Sequence, residues 1–127
     1  MFLDTPLYRC VRPSMIDDGC LSFRVFKSTN REPNKISVAD GSRVTPENAL
    51  QNYQKIHKNA DGVVCVTVRD CRNLNLLILQ TPKAHASYHC DIDLNGVDPD
   101  TASIELYYKA KNHGWVCQPD IPYQWLD

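Results

Sequence analysis

A chain of 127 residues, 43% apolar and 23% charged, has the size and make-up of one globular domain, with enough interior to bury about two-thirds of the surface its unfolded form exposes. Its 14 Lys and Arg against 15 Asp and Glu leave a formal charge of −1 and are spread along the chain, which argues against a nucleic-acid partner. No apolar run approaches the length of a membrane span, and no repeat or Gly/Ser-rich linker divides the sequence, so residues 1–127 read as a single domain with no membrane partner.

The first predicted strand is Leu7-Tyr8-Arg9-Cys10-Val11, stopped by Pro13. Leu21, Phe23 and Val25 alternate with Ser22 and Arg24 and predict a second strand with one buried face. Ile36 and Val38 alternate with Lys35 and Ser37 in a short third strand, closed by Asp40-Gly41. Thr45-Pro46-Glu47 is a helix start, because Thr45 can cap, proline suits the first helical position and an acid suits the positive end of the dipole. The helix is expected over 46–59, with Leu50, Tyr53, Ile56 and His57 on an inward stripe and Gly62 as its left-handed stop. Val63–Arg69 and Leu74–Leu79 are apolar runs that predict strands covered on both faces.

Lys83–Leu94 alternates more cleanly than any other segment. Ala84, Ala86, Tyr88, Cys90, Ile92 and Leu94 face inward, and His85, Ser87, His89, Asp91 and Asp93 face outward. Asn95-Gly96 ends it, and Asp98-Pro99 starts a second helix that stops at Gly114. The expected fold is α+β, a mixed or antiparallel sheet of about five or six strands with two helices on one face. Residues 118–127 form an extended C-terminal arm in which Tyr123, Trp125 and Leu126 either fold back or present anchors to a protein partner, a second copy included.

Met1–Pro6 has neither the basic segment nor the apolar run of a secretory signal, so the expected location is cytoplasmic and the six cysteines are expected to be free thiols. Cys71, flanked by Arg69 and Arg72, is the best thiolate candidate. On a strand His85 and His89 stand roughly 13 Å apart, too far to share a metal ion, and no CxxC pairs are present, so neither a metal nor another cofactor is expected. His89 and Asp91, about 6.6 Å apart on one face, can form a carboxylate-oriented acid–base pair or belong to a solvated surface. Glycine-rich phosphate loops, Gly-x-Ser-x-Gly elbows and His-Glu-x-x-His are absent.

Leu7-Tyr8-Arg9 with Val11 and Pro13, then Phe26-Lys27, Lys35-Ile36-Ser37-Val38 and Thr81-Pro82-Lys83-Ala84-His85-Ala86, resemble a widespread set of small bacterial proteins of uncharacterised function. That resemblance covers most of the chain and implies no activity. An arginine on a first strand ahead of further polar residues is also similar to the RES-type NAD-consuming toxins, which have the ADP-ribosyltransferase-like fold. This second resemblance implies catalytic roles for Arg9, Arg24 and Ser22, although the family's Gly-Gly-Arg-Trp segment is missing and Glu47 belongs to a helix start. The leading expectation is an interaction or ligand-binding domain without catalytic activity. The alternative is a small enzyme, either NAD-consuming through Arg9 and Arg24 or using His89 and Asp91.

Overall fold

β-Branched and alternating runs become the five-stranded antiparallel sheet of an α+β fold, in a computed structural model that describes residues 1–29 and 31–127. In chain order the strands are β1 (Pro6–Cys10), β2 (Ile16–Asp17), β3 (Cys20–Leu21), β4 (Lys35–Asp40), β5 (Val63–Thr67), β6 (Leu77–Gln80), β7 (His89–Asp93) and β8 (Gln124–Trp125). The helices are α1 (Pro46–Gln54), α2 (Val68–Asn73) and α3 (Pro99–His113). The main sheet has the order β5-β1-β4-β7-β6, and a small second sheet has the order β2-β3-β8. Among the described residues no helix is long and apolar enough to cross a membrane.

Alternation along the strands separates two faces. Leu7, Ile36, Val38, Val64, Val66, Cys90 and Ile92 point into the main core, which α3 closes with Ala102, Leu106, Tyr107 and Ala110. A fully buried Leu or Ile contributes about 1.5–3 kcal/mol, so this layer supplies most of the stability. Tyr8, Ser37, Ala39 and His89 point the other way, toward α1, whose Asn52 donates through Nδ2 to the Tyr88 hydroxyl at 2.8 Å and the His85 carbonyl at 2.9 Å. The sequence pattern does not distinguish these faces, because both carry apolar residues.

Both proline-started helices form as expected: Thr45 accepts from the Asn48 N–H, and Asp98 from the Thr101 N–H. α1 nevertheless ends at Gln54, and Gly62 is not its stop. With a φ of +87° Gly62 instead leads the chain into β5, and a Cβ there would meet the Trp115 ring at 2.9 Å. A third helix was not expected. Thr67 accepts from the Asp70 N–H while Asp70 accepts from the Thr67 N–H, a reciprocal cap that turns the end of the Val63–Arg69 run into α2. The 74–79 run accordingly starts its strand late, at Leu77. β6 is an edge of the sheet, where Leu77 is 66% exposed.

Two further segments depart from the alternation. Beyond Leu21 the second strand gives way to a 3-10 turn, Phe23–Phe26, because Ser22 accepts from the Arg24 N–H and starts a helical bend. Val25 and Phe26 are thereby buried together while Phe23 stays exposed. In the 83–94 segment only His89–Asp93 is strand. Lys83 and Ala86 exchange N–H···O=C bonds at 3.0 and 3.1 Å, closing a tight turn ahead of it. Asp91 does not lie on a solvated face, being only 5% exposed.

The arm folds back along the domain: β8 runs parallel to β3, and the Trp125 ring lies 5.4 Å from Trp115 and 5.8 Å from Tyr107. The Tyr107 hydroxyl donates to the Leu21 carbonyl at 3.0 Å and also reaches the Leu126 carbonyl, joining α3, β3 and the arm. Tyr107→Phe is therefore expected to lower the unfolding free energy by about 1–2 kcal/mol in urea titration and to raise the exposure of Trp125 to a fluorescence quencher. An unchanged midpoint would show that the hydroxyl adds nothing to the ring contacts and the β3–β8 pairing that hold the arm.

Candidate functional site

The sheet is split where the site lies. β1 pairs with β5 over five residues, and β4 with β7 over five, yet β1 and β4 meet only at Leu7–Asp40 and Tyr8–Ala39. Past that point the strands part, and Arg9 fills the gap. Its Nη1 donates to the Ser37 carbonyl of β4 and its Nε to the Val25 carbonyl of the 3-10 turn, each at 2.8 Å, so a side chain pairs a strand carbonyl that a continued ladder could have used and ties the Phe23–Phe26 turn to the sheet. Arg9 is 8% exposed, and it is in no ion pair among the described residues. Burial lowers its pKa, with Arg12 adding to the effect and Tyr53 opposing it. Delocalisation over three nitrogens keeps the guanidinium charged nonetheless.

Above the gap is a cavity of about 280 Å³ between α1, β1, β4 and the turn before β7. Ala49 and Tyr53 of α1, and Ile56 and His57 just past its end, face this space rather than a packed interior, and Ile56 is 66% exposed. Lys83, His85, Tyr88 and His89 form the opposite wall. Arg12, Lys27 and Lys35 complete the rim beside a single carboxylate, Glu32. The Arg12 Nε is buried without a hydrogen-bond partner among the described residues.

His57 stacks on Tyr53, with ring centroids 4.5 Å apart and planes 27° apart. Burial lowers its pKa, and Arg12 and Arg9 lower it further. His89 is lowered by burial and by Lys83, with Asp91 and the Thr81 hydrogen bond opposing. The His89 Nδ1 lies 2.8 Å from the Thr81 hydroxyl and 3.1 Å from the Thr81 carbonyl. A proton on Nδ1 can satisfy that carbonyl, which leaves Nε2 as the free ring nitrogen.

Of the residues singled out from sequence, Arg9 and His89 share this cavity. Arg24 does not, since it lies on the surface 3.3 Å from Asp17, and Ser22 is buried and donates to the Met15 carbonyl. Asp91 lies two residues from His89 opposite Ser37, with its Oδ1 buried and unpartnered among the described residues. His89 is oriented by Thr81, and no hydrogen bond to Asp91 is found among the described residues. In the arm Tyr123 and Trp125 are half-buried on their own domain, whereas Leu126 is 39% exposed.

Cys71 is buried, and its thiol is pushed up to about 12 by burial and by Asp70, so the arginines beside it in sequence do not make it a thiolate. Cys10, on the cavity wall, is likewise pushed up to about 12 by burial. Sequence reasoning passed over Arg12, Lys27, Lys35, His57 and Lys83. The one available signal was the Tyr53, Ile56, His57 stripe, which mixes apolar and titratable groups on one side of a helix.

No protein-family model, no curated protein and no solved structure matches the chain.

Both lowered histidines have folded pKa values below the ordinary 6.5, so the unfolded chain binds more protons as pH falls through that value. Stability should decline from about pH 6.5 downward, ahead of the loss caused by protonating Asp70, a carboxylate lowered by hydrogen bonds from Thr67 and His113 despite the opposing effect of burial. Proton NMR titration should place the His57 and His89 midpoints below 6.5. Midpoints at or above that value would contradict the positive surroundings assigned to the cavity.

Proposed function

We propose that the chain is a cytoplasmic small-molecule-binding domain whose ligand occupies the cavity between α1 and the split in the main sheet. The observation that carries this reading is the pair Tyr53, on α1, and Ile56, just past its end, both of which face the cavity rather than a packed interior. Within a concave recess such apolar groups are available to cover the body of a small ligand. The cavity, about 280 Å³, is near the lower end of ligand sites and suits a compact metabolite rather than a polypeptide.

A second reading keeps the cavity and makes it catalytic. Arg9 on the first strand fits the NAD-consuming resemblance, and the Thr81-oriented His89 supplies a neutral base. Incubation with NAD should release nicotinamide if this reading holds, whereas intact NAD after prolonged incubation removes it.

For the binding reading, a small-fragment screen followed by amide NMR should find binders that shift residues 49–57 and 83–89. Ala49→Trp, which fills the cavity from α1, should abolish those shifts while the remaining spectrum stays folded. Binders that cluster elsewhere, or that ignore the tryptophan, would refute the site.

A further inference from the structure

We infer that the ligand of this cavity is a phosphate ester, held by Arg9 and Arg12 at its charged end and by α1 along its organic body; this rests on the binding reading above. Five cationic side chains, Arg9, Arg12, Lys27, Lys35 and Lys83, line the space against one carboxylate, Glu32. The chain has slightly more acids than bases, so composition does not force such a cluster. Every ion pair found among the described residues lies elsewhere, at Arg24–Asp17, Arg69–Asp4, Lys111–Asp127 and His113–Asp70. Like charges brought together with so little counter-charge repel, and an anion among them relieves both that repulsion and the burial of the guanidinium.

The two arginines narrow the choice of anion. Arg9 spends Nε and Nη1 on backbone carbonyls, and no hydrogen bond of its Nη2 is found among the described residues. The Arg12 Nε is buried and unpartnered. Donors that remain on two neighbouring planar forks match the several oxygens and double charge of a phosphate monoester better than a single carboxylate. The cavity, about 280 Å³, exceeds what a bare anion fills, since a water takes only about 30 Å³. The remainder is bounded by Ala49, Tyr53 and Ile56, an apolar and aromatic surface for the alcohol part of the ester.

Four probes test this by calorimetry and amide NMR: phenyl phosphate, inorganic phosphate, phenol and phthalate. Phenyl phosphate should bind at least about tenfold more tightly than each of the others, shift amides in 8–12, 49–57 and 83–89, and weaken with added salt. Arg12→Gln and Lys83→Gln should each weaken it about threefold or more and leave phenol unaffected. Arg9→Gln should abolish binding, and because that variant can fail to fold, the two rim variants decide the matter. Phthalate binding as tightly as phenyl phosphate would overturn the phosphate assignment. Phenol binding at the cavity with no gain from the phosphate would overturn it too, while leaving the binding reading intact. Silence from all four probes at the cavity, with other fragments bound there, would likewise discard the ester and keep the site.

Discussion

The buried guanidinium of Arg9 sets the geometry on which the site depends. It stands where β1 and β4 would otherwise continue their ladder, and it donates to the Ser37 carbonyl of β4 and to the Val25 carbonyl of the 3-10 turn. A hydrophobic side chain at this position could fill the gap but could not pair those acceptors. The sheet is thus held open by a charge, and the charge ends up at the floor of the cavity. Fold and site share one residue, and stability and function cannot be tuned there independently.

Around that floor the electrostatics are consistent. His57 and His89 stay neutral near physiological pH, because burial and the neighbouring cations both disfavour a further positive charge. The thiol of Cys10 stays protonated for the first of those reasons. The cavity wall therefore offers fixed cations, neutral imidazoles and aromatic rings rather than a nucleophile. That combination suits holding an anion. Among the lining imidazoles, His89 is the one whose ring Thr81 fixes.

Much of the fold was legible because its signals are local. Thr45-Pro46 and Asp98-Pro99 place helix starts within a few residues, and the Val63–Val66 run is buried at every position. The misreadings came where a polar residue does backbone work inside a strand-like pattern. Ser22 and Thr67 look like outward positions of a strand but act as caps, and in Lys83–Tyr88 alternating alanines imitate a buried face that turn hydrogen bonds replace. The cavity was far less legible. Its cations come from positions 9, 12, 27, 35 and 83, and only the antiparallel pairing of β1, β4 and β7 gathers them. A nearly neutral sequence conceals a locally basic recess because Lys111, Arg24 and Arg69 are in ion pairs, whereas among the described residues the recess sets its cations against Glu32 alone.

The two borders of the main sheet are unequal. β5 is obstructed at Val63 by Cys117 and turns into α2 after Thr67, whereas β6 presents Leu77-Ile78-Leu79-Gln80 with neither charge nor proline to discourage a neighbour. A ribbon with one receptive margin can be extended once. Strand addition to the main sheet is thus open at one margin and hindered at the other.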